Sequence, residues 1–320
     1  MNEHIIKTEN LIVDFPGARA VDGLNISVIE GEIFGLVGPD GAGKTTTIRA
    51  LSTILKPTSG SIWLWGNDIM RDTGAVRGRI GYMSQRFNLY GDLTVEENLR
   101  FFAELHGLSE SELKSRTKEL LRFARLEEFT GRQAEFLSGG MKQKLALACT
   151  LIYQPDILFL DEPTTGVDPV SRREFWAILS ELRSRGLTLF VSTPYMDEAE
   201  RCSTVAFMDA GKVRVSDSPK AIKGAFSGEV VELIATPQRA ARDLVQGLPY
   251  VRDVEIFGER LHLTVDNATE AERRLRLDLA GKVEVSSVKT KAPSMESAFI
   301  AMIKAGSIGR LDSEDPYEDD

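Results

Sequence analysis

Cysteine is scarce: the 320 residues contain two, Cys149 and Cys202, both inside segments patterned as regular elements. That argues against a disulfide framework and for structural thiols in a reducing cytoplasm. No window of roughly 18 uninterrupted apolar residues occurs, and the opening MNEHIIKTENLIV has no basic stretch running into a hydrophobic one. The expectation is a chain that neither leaves the cell nor crosses a membrane by itself. Positive charge is not in excess either. A net charge of −9 and a pI near 5.1 demote nucleic acid as a partner held by phosphate neutralisation. No repeat of the solenoid or propeller kind is visible. What remains is the ordinary make-up of a soluble protein, 42% hydrophobic and 27% charged, long enough for one large domain and a smaller one.

Up to about residue 225 short apolar runs alternate with helical patterns, as in a sheet covered by helices, an α/β arrangement. The candidate strands are EIFGLVG, RIGYMS, ILFLDE, LTLFVST and TVAFMDAGKV. A helical insertion is read over about 87–150, its helices opened by two capping boxes, Thr94 with Glu97 and Ser109 with Glu112. Residues 226–305 have the order βαββαβ and predict a small α+β, ferredoxin-like accessory domain. The segment 306–320 is acidic and polar and is expected to be disordered.

Three motifs carry chemistry. The first is GPDGAGKT, Gly38-Pro39-Asp40-Gly41-Ala42-Gly43-Lys44-Thr45, with Thr46 following, set between a strand and a helix. Its glycines let backbone N–H groups wrap phosphate oxygens, the helix points its positive end at them, Lys44 adds a point charge and Thr45 a hydroxyl for Mg²⁺. A plain glycine-rich turn would not need the Lys-Thr pair. The second is ILFLDEP, an apolar strand ending in two acids. Beside a phosphate loop, Asp161 is placed to reach magnesium through water, and Glu162 to polarise a water in line with a γ-phosphorus. The third is LSGGMKQ at 137–143, where Ser138, Gly139 and Gly140 open a helix and form a good anion site.

In that order, together with Gln85 in GYMSQ and with GVDP at 166–169, these motifs resemble the ATP-binding subunits of ABC transporters over about residues 8–220. The resemblance implies a P-loop NTPase (ABC ATPase) domain over 1–225 whose Ser138-Gly139-Gly140 tip faces the γ-phosphate of ATP held by a second subunit. A single copy of each motif then requires a dimer, homomeric or heteromeric. It also implies that Phe15 stacks on adenine with Val21 beside it, that Gln85 links metal and attacking water to the helical subdomain, and that Asp168 lies in the loop crossing the dimer interface. Phe87, Leu89 and Tyr90 would line a groove for a short helix of a membrane partner, although core packing explains them equally well. The cluster Arg71, Arg77, Arg79 and Arg86 reads as a solvated face.

The ending APSMESAFIAMI and the segment STPYMDEAER are similar to those of the drug-exporter, daunorubicin-resistance type. The resemblance therefore implies a peripheral ATPase on the cytoplasmic face of the plasma membrane, with ATP and Mg²⁺ as cofactors and separate membrane-spanning permease subunits as partners. Two positions depart from the family pattern: Asp40 stands where Asn is usual, and Pro194 where the family has the His that contacts the γ-phosphate. With no proline atom able to donate, a slow site is expected. Thr193 is expected to cap the next helix, with Pro194 in its first turn. A nucleotide-gated regulatory partner and a non-transport ABC ATPase are the competing readings.

Overall fold

The computed structural model describes residues 4–86 and 89–306, the side chains of 301–306 excepted. It divides into two units, Met1–Pro219 and Lys220–Asp320.

At the centre of the first unit is a six-stranded sheet in the order Lys212–Asp217, Thr204–Asp209, Ile33–Val37, Thr188–Thr193, Ile157–Asp161, Ile80–Met83. The last five run parallel to one another, and Lys212–Asp217 is antiparallel to its neighbour. Ile33–Val37, Ile157–Asp161 and Thr188–Thr193 are buried at every position. They are continuous apolar runs because a parallel strand has both faces covered. The stretch TVAFMDAGKV is not one strand but most of a hairpin, turned at Ala210 and Gly211, both at positive φ. Two such residues in succession are the mark of a tight hairpin turn.

An antiparallel sheet of His4–Phe15, Ala18–Leu24, Ser27–Ile29, Ser59–Leu64 and Asn67–Asp68 lies in the same unit and shares its largest core cluster, with Ile6, Leu11, Val21, Phe34, Leu36 and Phe159. None of these strands was among those expected. Register shifts between Leu11 and Asp14 break the alternation that marks a strand in sequence. The helices Val95–Leu105, Glu110–Ala124 and Gly139–Leu151 surround a core of their own that includes Leu99, Leu121, Leu126 and Leu145. Both expected capping boxes are formed.

The second unit is a four-stranded antiparallel sheet in the order Val251–Phe257, Arg260–Val265, Glu229–Thr236, Glu284–Lys291. Numbered along the chain that is 2-3-1-4. The helices Gln238–Gln246 and Ala268–Asp278 bury Ala241, Val245, Ala271 and Leu275 against Val231, Leu233 and Leu263 of the sheet. A last helix spans Met295–Gly306, and the expected acidic tail beyond it lies outside the described residues.

Candidate functional site

Three strand ends meet because of the register of the parallel sheet: Val37 pairs with Thr193 and Asp161 with Ser192. The loop leaving Val37 turns into the helix Lys44–Leu51 through Gly43, at φ 104°. A Cβ at Gly43 would stand 2.2 Å from the Ala20 carbonyl oxygen, so only glycine closes this loop. Pro39, Asp40 and Gly41 are exposed, Gly38 and Ala42 are buried, and Thr45 and Thr46 lie half-buried in the first turn. Asp40 thus keeps its carboxylate on the surface. Lys44 is only 4% exposed. Its Nζ donates to the carbonyls of Gly38 (2.8 Å) and Pro39 (3.0 Å) and lies 3.2 Å from Glu162 Oε1.

Asp161 is fully buried. Its Oδ1 accepts from Thr45 Oγ1 (3.0 Å) and Ser192 Oγ (2.8 Å), while Oδ2 is buried without a partner. Desolvation raises its pKa above the usual carboxylate range, against the pull of the two hydroxyls. A buried acceptor oxygen lacking a donor is what a cation, or a water bound to one, would satisfy. Thr45 and Asp161 therefore fit a magnesium ion that takes its remaining ligands from substrate and solvent. Among the described residues no group of three His, Cys, Asp or Glu side chains is placed to hold a metal unaided.

Glu162 is the convergence point. Besides Lys44, its carboxylate accepts from Gln85 Nε2 (3.0 Å) and Thr165 Oγ1 (3.3 Å). Its backbone stands at φ 48°, an unusual conformation for a non-glycine residue that costs on the order of 1–3 kcal/mol. Ser192 holds it there, accepting the Glu162 N–H at both Oγ (3.0 Å) and the backbone oxygen (3.2 Å). Ser192 thus ties both acids together. Sequence reasoning passed over it, although a serine near the end of an otherwise apolar strand beside two acids was the available signal.

The other predicted residues fall elsewhere. Ser138 caps the helix Gly139–Leu151, its Oγ accepting from Met141 N (3.3 Å). Ser138 and Gly139 are exposed and Gly140 is buried, where a Cβ would stand 2.5 Å from Ser171 Cβ. Gly140 therefore serves close packing of two helix starts as much as it presents an amide. Asp168 caps the helix Pro169–Ser184, its Oδ1 accepting from the N–H groups of Val170 and Ser171; the Ser171 hydroxyl first, and these amides after it, depress its pKa. Phe15 is 46% exposed, but Val21 is fully buried in the core. Val21 pairs across the sheet with Val13.

Leu89 packs against the helical core, Tyr90 stacks edge-on against Phe101 at 4.6 Å, and Phe87 lies outside the described residues. In the arginine cluster, Arg71 pairs with Asp68, Arg79 with Asp156, and Arg77 bonds Thr53, as on a solvated face. The turn at Pro194 also differs from expectation. Tyr195, not Thr193, is the cap of the short helix Met196–Ala199, and Pro194 precedes it. Thr193 Oγ1 accepts from Tyr195 N (3.0 Å) and donates to Glu198 Oε2 (2.6 Å).

Residues 21–165 match the family model described as ABC transporter. The chain is 42% identical over 95% of its length to an Escherichia coli protein named "Probable multidrug ABC transporter ATP-binding protein YbhF", of which it spans 53%, about half. It is 39% identical over 86% of its length to "Nod factor export ATP-binding protein I" of Paraburkholderia xenovorans, covering 91% of that protein. To "Daunorubicin/doxorubicin resistance ATP-binding protein DrrA" of Streptomyces peucetius it is 33% identical over 93% of its length, covering 92% of that protein. Among solved structures, cbiO1 from Clostridium perfringens, part of a cbiONQ complex, superposes with a TM-score of 0.65 at 28% identity over 78% of this chain and 97% of that one. The dimeric cassette MJ0796 superposes at 0.62 with 27% identity over 67% of this chain and 98% of that one.

Proposed function

This chain belongs to the ABC transporter ATP-binding family, and from that premise we propose that it binds MgATP and hydrolyses it to energise a bacterial exporter through separate membrane-spanning subunits. The observation that carries the reading is the convergence of Lys44, Thr45, Asp161, Glu162 and Gln85 at three adjacent strand ends.

The amides of Gly41 to Thr45 and the start of the helix Lys44–Leu51 cradle the phosphates, and Lys44 leaves its two carbonyls to meet them. Thr45 and Asp161 would hold a magnesium ion, which would supply neutralising charge at the phosphates. Glu162 takes the proton of the attacking water, and Gln85 and Thr165 keep its carboxylate aimed. Phe15, exposed at the end of its strand, is available to stack on a base. Ser138, Gly139 and Asp168 are exposed beyond this set, as residues serving the nucleotide of an opposed second cassette would be. Export, rather than import, is supported by the relative named for Nod factor export.

Pro194 supports a slow site. The neighbouring Thr193 is 1% exposed and its hydroxyl is already committed to Glu198 and Tyr195, so it is not free to replace an imidazole donor. Loss of one such donor lowers turnover by about 10²- to 10³-fold. This same commitment favours a second reading, a nucleotide-gated partner that lends its Ser138 tip to a fully active cassette.

The opposed-cassette arrangement is tested by sedimentation of the Glu162→Gln variant with MgATP. A shift from monomer to dimer, lost on Ser138→Arg, is expected. A strictly monomeric, nucleotide-loaded variant contradicts it.

A further inference from the structure

We propose that Glu198 is a positioning residue for the hydrolysis inferred above, the single carboxylate that locks the segment after the two acids to the turn that carries Pro194. It is fully buried, at 0% exposure, in a helix whose sequence, Met196-Asp197-Glu198-Ala199, reads as an acidic surface turn. Its Oε1 accepts from Thr164 Oγ1 and its Oε2 from Thr193 Oγ1, both at 2.6 Å. Thr164 lies two residues after Glu162 and four before Asp168, and Thr193 immediately precedes Pro194. Both threonines are 1% exposed, so neither hydroxyl has water as an alternative acceptor.

Arg172, on the helix opened by Asp168, completes the arrangement. Its Nε is 3.7 Å from Glu198 Oε1, a charge pair without a hydrogen bond, and its guanidinium lies over the Tyr195 ring at 4.0 Å. One acid therefore joins three pieces of chain. These are the 162–168 segment, the 193–195 turn and the start of the helix Pro169–Ser184.

Two short hydrogen bonds from buried hydroxyls to one ionisable group are directional and cannot be replaced piecemeal. A carboxylate accepts on both oxygens, whereas an amide of the same shape accepts on one and donates on the other. Glu198→Gln keeps the volume but weakens both struts to neutral bonds, one of them formed only if its threonine hydroxyl turns to accept. Since Glu162 is held at positive φ by Ser192, the residue just before Thr193, release of either end of this linkage loosens the frame around Glu162. Misplacement of a catalytic group by about 1 Å costs roughly 10²-fold in rate.

The test is amide hydrogen exchange on the full chain, read together with steady-state ATP turnover. In Glu198→Gln the amides of 164–168 and of Tyr195 are expected to exchange faster together, with the helix Glu110–Ala124 unchanged. Thr164→Val is expected to free the first segment alone and Thr193→Val the second alone, which keeps the proposal testable should Glu198→Gln fail to fold. In turnover, kcat is expected to fall by about 10- to 100-fold with KM altered less than about twofold. Unchanged exchange in both segments, or a uniform rise across the chain that tracks a lower Tm, overturns the proposal, as does a wild-type kcat in Glu198→Gln. A wild-type chain inert towards ATP overturns the functional reading instead, and the exchange arm still decides for Glu198.

Discussion

The parallel sheet of the first unit and the antiparallel sheet of the second spend their polar residues differently. Where the parallel sheet of the first unit ends, Lys44, Asp161, Glu162, Ser192, Thr193 and Glu198 are all buried at the strand ends and in the helices near them, one acid oxygen has no partner, and Glu162 sits at positive φ. The antiparallel sheet of the second unit buries Val231, Leu233, Leu263 and Val265 in its core, and pairs the half-buried Glu232 with Arg260 and Lys291. The first arrangement concentrates desolvated charge and strain, as a site that is to take a charged ligand would. The second is built to stay folded. Departures from the rules of stable packing gather at the site, while the second unit keeps one of its own at His262, whose Nδ1 is buried without a partner.

The largest effect that separates the two regions is expected from Glu162→Gln. Turnover should drop by about 10²- to 10⁴-fold, the usual contribution of a general base, while MgATP affinity measured by equilibrium binding stays within a few fold. An equal loss of affinity would move Glu162 from chemistry to binding. In the other sheet, Leu233→Ala should cost about 2–5 kcal/mol of that unit's stability in denaturant unfolding, and leave turnover per folded molecule unchanged. A loss of turnover there would show that the second unit does more than fold.

Much of the first region was legible in the sequence where its signals are local. The phosphate loop needs its strand, glycines and helix in one unbroken run, and the strand ILFLDE carries its acids at its own end. Gln85 and Glu162 are 77 residues apart, and only resemblance brought them together before the register of the parallel strands did. Glu198 was invisible for the opposite reason: within DEAE it looks like one more solvated acid, and its burial is decided by Thr164 and Arg172 on other elements. The same tertiary control misled the reading of Thr193 as a helix cap. In the second unit, alternation and turns made the order of strands and helices legible, since little there depends on distant partners.

The smallest difference concerns pH. His262 in the second unit is 5% exposed, stacks on Phe257 at 4.2 Å, and has an unpartnered Nδ1. Burial, aided by the Lys291 charge, lowers its pKa below the ordinary 6.5, although Glu232 pulls the other way and Arg260 adds to the lowering. The unfolded chain then takes up a proton at a higher pH than the folded one. Stability contributed by neutral His262 is present above pH 6.5 and is lost as the pH falls towards the folded value. Unfolding followed by near-ultraviolet signals at pH 7.5 and 5.5 should show this loss in the wild type and a smaller one in His262→Gln. Identical slopes would contradict it.

The central claim is that a complete hydrolytic frame lacks one donor at position 194. Steady-state ATP turnover of Pro194→His against the wild-type chain tests it most directly. The account predicts a rise of about 10²-fold on restoring an imidazole beside Thr193, abolished again by adding Glu162→Gln. Equal turnover with proline and histidine at that position would contradict it.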